Sequence, residues 1–463
     1  MGILQIFKNS FKVPELRKKL FMTLVLILIF RIGCFIPVPG LSESALSSLA
    51  GSGLFQFMDI LSGGAFENVS IFAMGISPYI NASIIMQLLT VAIPYFERLQ
   101  KEGGEGRKKI NKITRYVTVG LAIFQGVMLY INLNNSGSAF TEGLGTGKAA
   151  TVLLFLTILF SFTAGTAILT WLGEKITEVG IGNGISMIIF AGIISRLPDA
   201  IKTFISIIVY GSTTWGVDYK DADAASKISD KLYVTIPFIV AVVLVFLAVI
   251  VAVVWMDGGE RRLPVQYAKR VVGRKMLGGQ STHIPLKVNS SGVLPIIFAM
   301  SLLQFPVTIA SFINANSGIT KSLNDFTGTW WYLIIYAALI VGFTFFYNIV
   351  YFDPNEIANN LKNNGGMIMG ASLRPGKPTA DYIKGISTRI TWFGAFFLAV
   401  LAVLPSLIQK IIALFSPSLG NFNMWFGGTS VLIVVGVAIE TVRQLEAQLL
   451  MRHYKGGKGG FLD

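Results

Sequence analysis

The sequence predicts an all-α, polytopic membrane protein, with ten transmembrane helices in two inverted halves of five. Three observations lead there. Of the 463 residues, 53% are hydrophobic and only 13% charged, which sets the chain apart from soluble domains. Apolar runs of about 20 residues, long enough to cross a bilayer as a helix, recur along its whole length. Basic residues are segregated into alternate loops, as in a chain with a fixed orientation across a membrane.

The runs fall at 20–38, 71–93, 116–133, 150–172, 183–209, 232–256, 292–314, 331–352, 390–413 and 425–445. Ten is even, so both termini share a side. With charges at span ends assigned to the nearer side, 29 Lys and Arg fall on the side of the termini and 8 opposite, while Arg31 lies inside the first span. The rich side is therefore cytoplasmic. Acids number 14 and 10 on the two sides, leaving +15 inside and −2 outside, so the basic balance describes one face. Residues 1–19 are basic and the apolar run that follows reaches Val38 without a small-residue cleavage pattern, so it reads as a retained first span.

An acidic, polar external loop at 210–231 separates an N-terminal half, 1–209, from a C-terminal half, 232–445, followed by a tail at 446–463. An odd number of spans in each half sets the halves in opposite orientations; this is a topological inference, since no strong self-similarity accompanies it. The tail after His453 is glycine-rich and expected to be disordered.

The stretch from Gly63 to Gln87 cannot be an ordinary span. The apolar piece before it, Leu54 to Leu61, is too short to cross and carries Asp59. Gly63 and Gly64 then break the chain, and the approach to the second span is polar. Non-helical backbone at membrane depth is tolerated only where protein or a water-filled cavity satisfies it, so this stretch points to a cavity that the other spans surround.

Several chemistries are set aside. The lone Cys34 rules out an internal disulfide and a cysteine zinc cluster. His283 and His453, the only histidines, sit in polar loops, against a His-based hydrolase or metal site within the membrane. Gly143-Leu-Gly-Thr-Gly-Lys148 lacks the first glycine and the closing Ser or Thr of a phosphate loop. Gly180-Ile-Gly-Asn-Gly184 has no strand before it and reads as a turn. No catalytic residue, cofactor or metal is expected. Within the spans Arg31 and Glu440 are the ionisable residues singled out. Arg31 is either functional or a structural arginine bonded to backbone carbonyls at a helix break, with Pro37 and Pro39 close behind.

The cytoplasmic side also carries the long loops 94–115, 257–291 and 353–389. Arg261, Arg262, Lys269, Arg270, Arg274 and Lys275 cluster in one, and Arg374-Pro-Gly-Lys377 tops another. Positive-inside bias and anionic lipid account for some of this charge. Two such loops on one side also make a surface for an acidic protein face or for ribosomal RNA phosphates.

The motifs Phe30-Arg-Ile-Gly-Cys-Phe-Ile-Pro-Val-Pro-Gly40, Ile76-Ser-Pro-Tyr-Ile-Asn-Ala-Ser-Ile-Ile-Met-Gln-Leu-Leu89 and Gly182-Asn-Gly-Ile-Ser186 carry a resemblance to the SecY family. So do Glu260-Arg-Arg-Leu-Pro-Val-Gln-Tyr-Ala-Lys-Arg270, Pro285-Leu-Lys-Val-Asn289, Gly292-Val-Leu-Pro-Ile-Ile-Phe298, Arg374-Pro-Gly376 and Gly427-Gly-Thr-Ser430. The family supplies the central subunit of the bacterial protein-conducting channel. The resemblance implies an hourglass of ten helices around a central pore, hinged at the 210–231 loop, in the cytoplasmic (inner) membrane with both termini cytoplasmic. It implies a short plug half-helix at Phe57, Met58, Asp59, Ile60, Leu61, Ser62, Gly63, Gly64 and Ala65. It also implies a pore ring of Ile76, Ile80, Ile189, Ile297 and Ile433, and a lateral gate, lined by the second, third, seventh and eighth spans, with Asn81, Gln87 and Asn289 as its polar residues. Arg374 and the 261–275 basic cluster become docking sites. The partners implied are the small membrane subunits SecE and SecG, the motor ATPase SecA, the ribosome, secretory preproteins with their signal sequences, and membrane lipids. The segment Gly370-Ala-Ser-Leu-Arg374 departs from the family's usual form before Arg374.

The function this implies is passage of unfolded secretory chains outward and sideways release of apolar segments into lipid, driven by a partner and without covalent chemistry. An inverted-repeat secondary transporter is the alternative; the shortage of midplane carboxylates and the basic loops argue against it. An intramembrane protease lacks a histidine in any span and a convincing aspartate pair.

Overall fold

The computed structural model describes residues 3–42, 59, 61–135, 148–199, 202, 240, 244–267, 270–272, 275–277, 281–289, 292–313, 318–369, 375–415 and 428–456. The external loop at 210–231, the end of the tail, and Phe57, Met58, Ile60, Lys269, Arg274 and Arg374 lie outside these residues. The chain is mostly helical. Among the described residues four helices, Gly104–Ile131, Ala150–Val179, Trp330–Asn363 and Lys377–Ile408, are long and apolar enough to cross a membrane, and a bent pair, Ser77–Ala92 with Pro94–Lys101, makes a fifth if it is counted as one span. It is a multi-pass membrane protein.

Its contacts divide it into two compact units: Met1–Ala241 with Met300–Thr329 and Val437–Asp463, and Val242–Ala299 with Trp330–Gly436. In the first unit, α1 (Ile3–Lys12) leads into α2 (Pro14–Gly33), which covers most of the first apolar run. Then come α3 (Ser77–Ala92), α4 (Pro94–Lys101), α5 (Gly104–Asn135), α6 (Lys148–Val179) and α7 (Gly184–Ser195). The chain turns by 97° between α3 and α4. Pro94 has no amide to continue α3, and its fixed φ suits the first turn of α4. The fifth run ends its described helix at Ser195, where Arg196, Asp199 and Lys202 interrupt the apolar sequence.

The 180–184 turn is held on several sides. Asn183 caps α7, its side chain accepting from the amides of Ile185 (3.1 Å) and Ser186 (3.4 Å). The Ile181 amide donates to Thr23 Oγ1 at 3.1 Å and the Gly182 amide to Gln444 Oε1 at 2.9 Å. A Cβ on Gly184 would stand 1.8 Å from the Gly173 carbonyl oxygen, so only glycine lets α6 and α7 approach this closely. Beneath lies an apolar cluster of Ile6, Leu16, Ile181, Leu445 and Leu449.

The remaining elements are α8 (Leu244–Gly258), β1 (Glu260–Tyr267), β2 (Arg270–Val272), β3 (Lys275–Leu277), β4 (Ser281–Lys287), α9 (Leu294–Ile313), α10 (Gly318–Thr327), α11 (Trp330–Tyr351) and α12 (Pro354–Asn363). β5 (Gly366–Ile368), α13 (Lys377–Phe415) and α14 (Gly428–Gly456) complete the chain. The boundary between units passes through α9 and α14.

In the second unit the all-α expectation gives way to strands within the long loops. β1 pairs antiparallel with β4 over seven residues, from Glu260 opposite Lys287 to Gln266 opposite Ser281. On its other edge β1 pairs with β5, Val265 opposite Ile368. Strands from the 257–291 and 353–389 loops thus share one sheet, ordered β4-β1-β5. Its inner face buries Leu263, Val265, Leu286 and Ile368 against Leu361 of α12 and Ile383 of α13. The period-two pattern along β1, buried at 263 and 265 and exposed at 262, 264 and 266, is that of a strand with one wet face.

Candidate functional site

The segment between Asp59 and α3 has the irregular backbone that its glycines and polar residues predicted. Among its described residues a helical piece ends at Ser62, and turns continue to Ile76. The second span therefore starts at Ser77 rather than at 71, although Ile71 to Met74 are apolar. Gly63, Gly64 and Gly75 have φ of +68°, +90° and +57°, and Val69, a β-branched residue, has φ of 52°. Protein groups satisfy this backbone: the Val38 amide donates to the Val69 carbonyl (2.9 Å) and the Ile71 amide to the Ile36 carbonyl (3.0 Å). Phe66, Val69, Ala73 and Met74 pack on Leu129 and Leu133 of α5 and Phe162 of α6.

The other side of the segment faces two arginines. Arg31, near the end of α2, donates from Nη1 to the Gly63 carbonyl at 2.6 Å and to Ser195 Oγ at 3.1 Å, with its guanidinium 4.7 Å from the centre of the Phe35 ring. Of the two readings of Arg31, the carbonyl-bonded one is found, and the carbonyl belongs to the expected plug. Arg196, just past α7, pairs with Asp59 through Nη2 and with Glu67 through Nη1 at 2.9 Å. Asp59 is 2% exposed and accepts a further bond from the Glu67 amide at 2.9 Å. Burial raises the Asp59 carboxyl above its ordinary range, against the pull of Arg196 and of that amide. Arg196 was not singled out in the sequence, because it lies inside a long apolar run. The charges at 196, 199 and 202 were the signal available.

The five isoleucines expected at the pore are all 4% exposed or less. Ile76 caps α3 and Ile80 stands one turn on, its amide donating to the Ile76 carbonyl at 3.0 Å. Ile189 lies on α7 in the same unit, and Ile297 and Ile433 belong to the second. Of the gate residues, Asn81 and Gln87 lie on α3, where Gln87 Nε2 donates to Ser83 Oγ at 3.3 Å. Asn289 follows β4, its Oδ1 buried without a hydrogen bond from any described residue. Of the docking residues, Arg261 and Arg262 are exposed at the start of β1, with Arg262 Nε on Glu260 Oε1 at 2.6 Å. Arg270 and Lys275 lie at opposite ends of the β2–β3 pair, the register placing Arg270 opposite Leu277 and Lys275 opposite Val272. Among the described residues no group of three or more His, Cys, Asp or Glu could hold a metal ion.

A family model described as SecY matches residues 70–442. The chain belongs to the SecY family. Among curated SecY relatives, each a protein translocase subunit SecY, it is 43% identical to that of Halalkalibacterium halodurans, covering 97% of this chain and 98% of that one. It is 42% identical to the Streptomyces scabiei protein (98% and 99%) and 40% to that of Thermotoga maritima (98% and 97%). Solved structures agree in fold. One concerns SecY, with a plug domain that stabilises the closed state of the translocation channel and maintains a membrane seal; it superposes with TM-score 0.58 at 19% identity, over 93% of this chain and 92% of that one. Sec61 in the canine ribosome–channel complex from the endoplasmic reticulum superposes at 0.53, with 19% identity and the same coverage.

Proposed function

We propose that this chain is the membrane-embedded channel subunit of a protein translocase, passing unfolded secretory polypeptides across the bacterial cytoplasmic membrane and releasing apolar segments sideways into lipid. The observation that carries this is identity of 40% or more to SecY relatives over nearly their whole length. The secondary-transporter alternative finds no support in these relatives.

The finer reading is a ten-span bundle in two halves, 1–209 and 232–445, with 210–231 as hinge and both termini cytoplasmic. The segment 57–65, broken by Gly63 and Gly64, is its plug. Ile76, Ile80, Ile189, Ile297 and Ile433 form its pore ring. Branched apolar side chains coordinate neither ions nor water, so a narrow collar of them dewets yet yields to a passing chain. Asn81, Gln87 and Asn289 form the polar part of the lateral gate. A sheet joining two long cytoplasmic loops supports a docking role for Arg261 and Arg262, which it carries; Lys269, Arg270, Arg274, Lys275 and Arg374 of the same two loops complete the docking set. Their partners are the motor ATPase SecA and the ribosome; SecE and SecG are the accessory membrane subunits. The chain does no covalent chemistry and the energy comes from the motor.

Affinity purification in mild detergent tests this. Small single-span subunits or a cytoplasmic ATPase should co-purify. Substrate-stimulated ion flux by the lone protein, with no such partners, would overturn the channel reading in favour of a transporter.

A further inference from the structure

We propose that Arg196 and Arg31 are positioning residues that latch the 57–65 segment to the ends of the fifth and first spans, with the Asp59–Arg196 ion pair setting how readily the segment leaves. The proposal rests on the plug reading above and adds what holds the plug in place.

Two carboxylates of the segment side, Asp59 and Glu67, converge on one guanidinium, whose side chain is 12% exposed. Truncating one partner of such a pair leaves an uncompensated buried charge. Release of the whole segment is different. Asp59 leaves with the segment into water, while Arg196 keeps Asp199, 3.9 Å away and half-exposed on its own side. Neither charge is stranded, so the contact holds firmly in place and still lets go. An apolar contact of equal strength would need no such pairing.

The second point of the latch is backbone. Gly63 accepts from Arg31 at 2.6 Å, and Ser195 Oγ, which also accepts from Arg31, donates to the Gly192 carbonyl at 2.7 Å. The two glycines make this proximity geometrically available. A Cβ on Gly63 would stand 2.9 Å from Gly192 Cα, and one on Gly64 2.8 Å from the Arg196 guanidinium. Their positive φ already favours glycine. The pair that breaks the chain in the sequence is thus also the pair that lets the end of α7 and Arg196 come this close.

The chain carries its own reporter. Cys34, its one cysteine, is 0% exposed, and its Sγ lies 3.5 Å from the Ser62 carbonyl. The test is the rate at which a membrane-impermeant maleimide modifies Cys34 in the full-length protein in membrane vesicles, read together with ion leak. Arg196→Gln should raise both by roughly 100-fold or more, the least expected when one partner of a buried pair is removed. Arg31→Gln should raise both less, and Arg196→Lys, which keeps the charge, should fall between wild type and Arg196→Gln. Deleting 57–65 should raise both most. Unchanged labelling and leak in the arginine variants, with a rise on deletion, would overturn the latch and leave the plug reading standing. No rise on deletion would overturn the plug reading itself. Equal rates in the Lys and Gln variants of Arg196 would overturn the role of charge. If Arg196→Gln fails to accumulate, Asp59→Asn decides: it retains the side-chain shape and leaves Arg196 with Glu67, so faster labelling at normal abundance supports the latch and unchanged labelling overturns it.

Discussion

Val265→Ala examines whether the two long cytoplasmic loops act as one frame. Val265 is 0% exposed and sits on β1 opposite Ile368 of β5, the strand contributed by the other loop. The substitution removes two buried methyl groups, each contributing about 0.8 kcal/mol by transfer. The cavity left behind raises the total to roughly 2–3 kcal/mol. The β1–β5 pairing spans only three residues, with one further bond from the Met369 amide to the Pro264 carbonyl at 3.0 Å. At about 0.5–1.5 kcal/mol net per hydrogen bond, the loss is comparable to what the pairing itself contributes. Amide exchange at 366–369 should therefore accelerate by roughly 30- to 100-fold, at about 1.4 kcal/mol per factor of ten. Motor-driven translocation should fall with it while membrane abundance stays normal. Arg262→Ala is the control, since it breaks only an exposed pair with Glu260 worth about 0–1 kcal/mol. Unaltered exchange at 366–369 in Val265→Ala, or equal effects of the two substitutions, would refute the reasoning.

Charge reversal at Arg374 should abolish motor-driven translocation without lowering the amount of inserted protein, and motor binding should weaken as salt rises, because exposed charges are screened beyond about 8 Å at physiological ionic strength; normal transport, or salt-insensitive binding, counts against docking there. Gln87→Leu and Asn289→Leu should each shift the signal hydrophobicity needed for export by the energy of about one membrane hydrogen bond, on the order of 0.6 kcal/mol or a factor of about 3. An unchanged threshold in both would remove these residues from the gate. Gly184→Ala places a Cβ 1.8 Å from the Gly173 carbonyl, so α6 and α7 must part, at a cost of about 1–3 kcal/mol or more. The variant should unfold at lower temperature in detergent, and wild-type thermal stability would contradict the close approach.

What could be read from the sequence follows from which forces act locally. The Gly63-Gly64 interruption and the turn at 180–184 were legible, because glycine punctuates the chain through its own backbone geometry. Ile71 to Met74 misled, since four residues of a long apolar run look helical. Ile71 is tied instead to the Ile36 carbonyl, and Val69 just before it accepts from the Val38 amide, both far away in sequence. The alternation of Leu263, Val265 and Tyr267 was a visible strand signal within a stretch read for its charge. Pairing with β5 depends on residues about 100 positions later, which no local pattern encodes. Arg31 stood out as a lone charge in an apolar run, while Arg196 was hidden by the length of its own. Which carboxylate it meets is a tertiary fact.

The central claim is transport of an unfolded chain, and vesicles holding this protein with its accessory subunits measure it most directly. Supplied with the motor ATPase, ATP and a secretory preprotein, they should protect the preprotein from added protease. Protection should be lost without ATP and without this chain. Protease-accessible preprotein under all conditions, with the complex intact, would contradict the account.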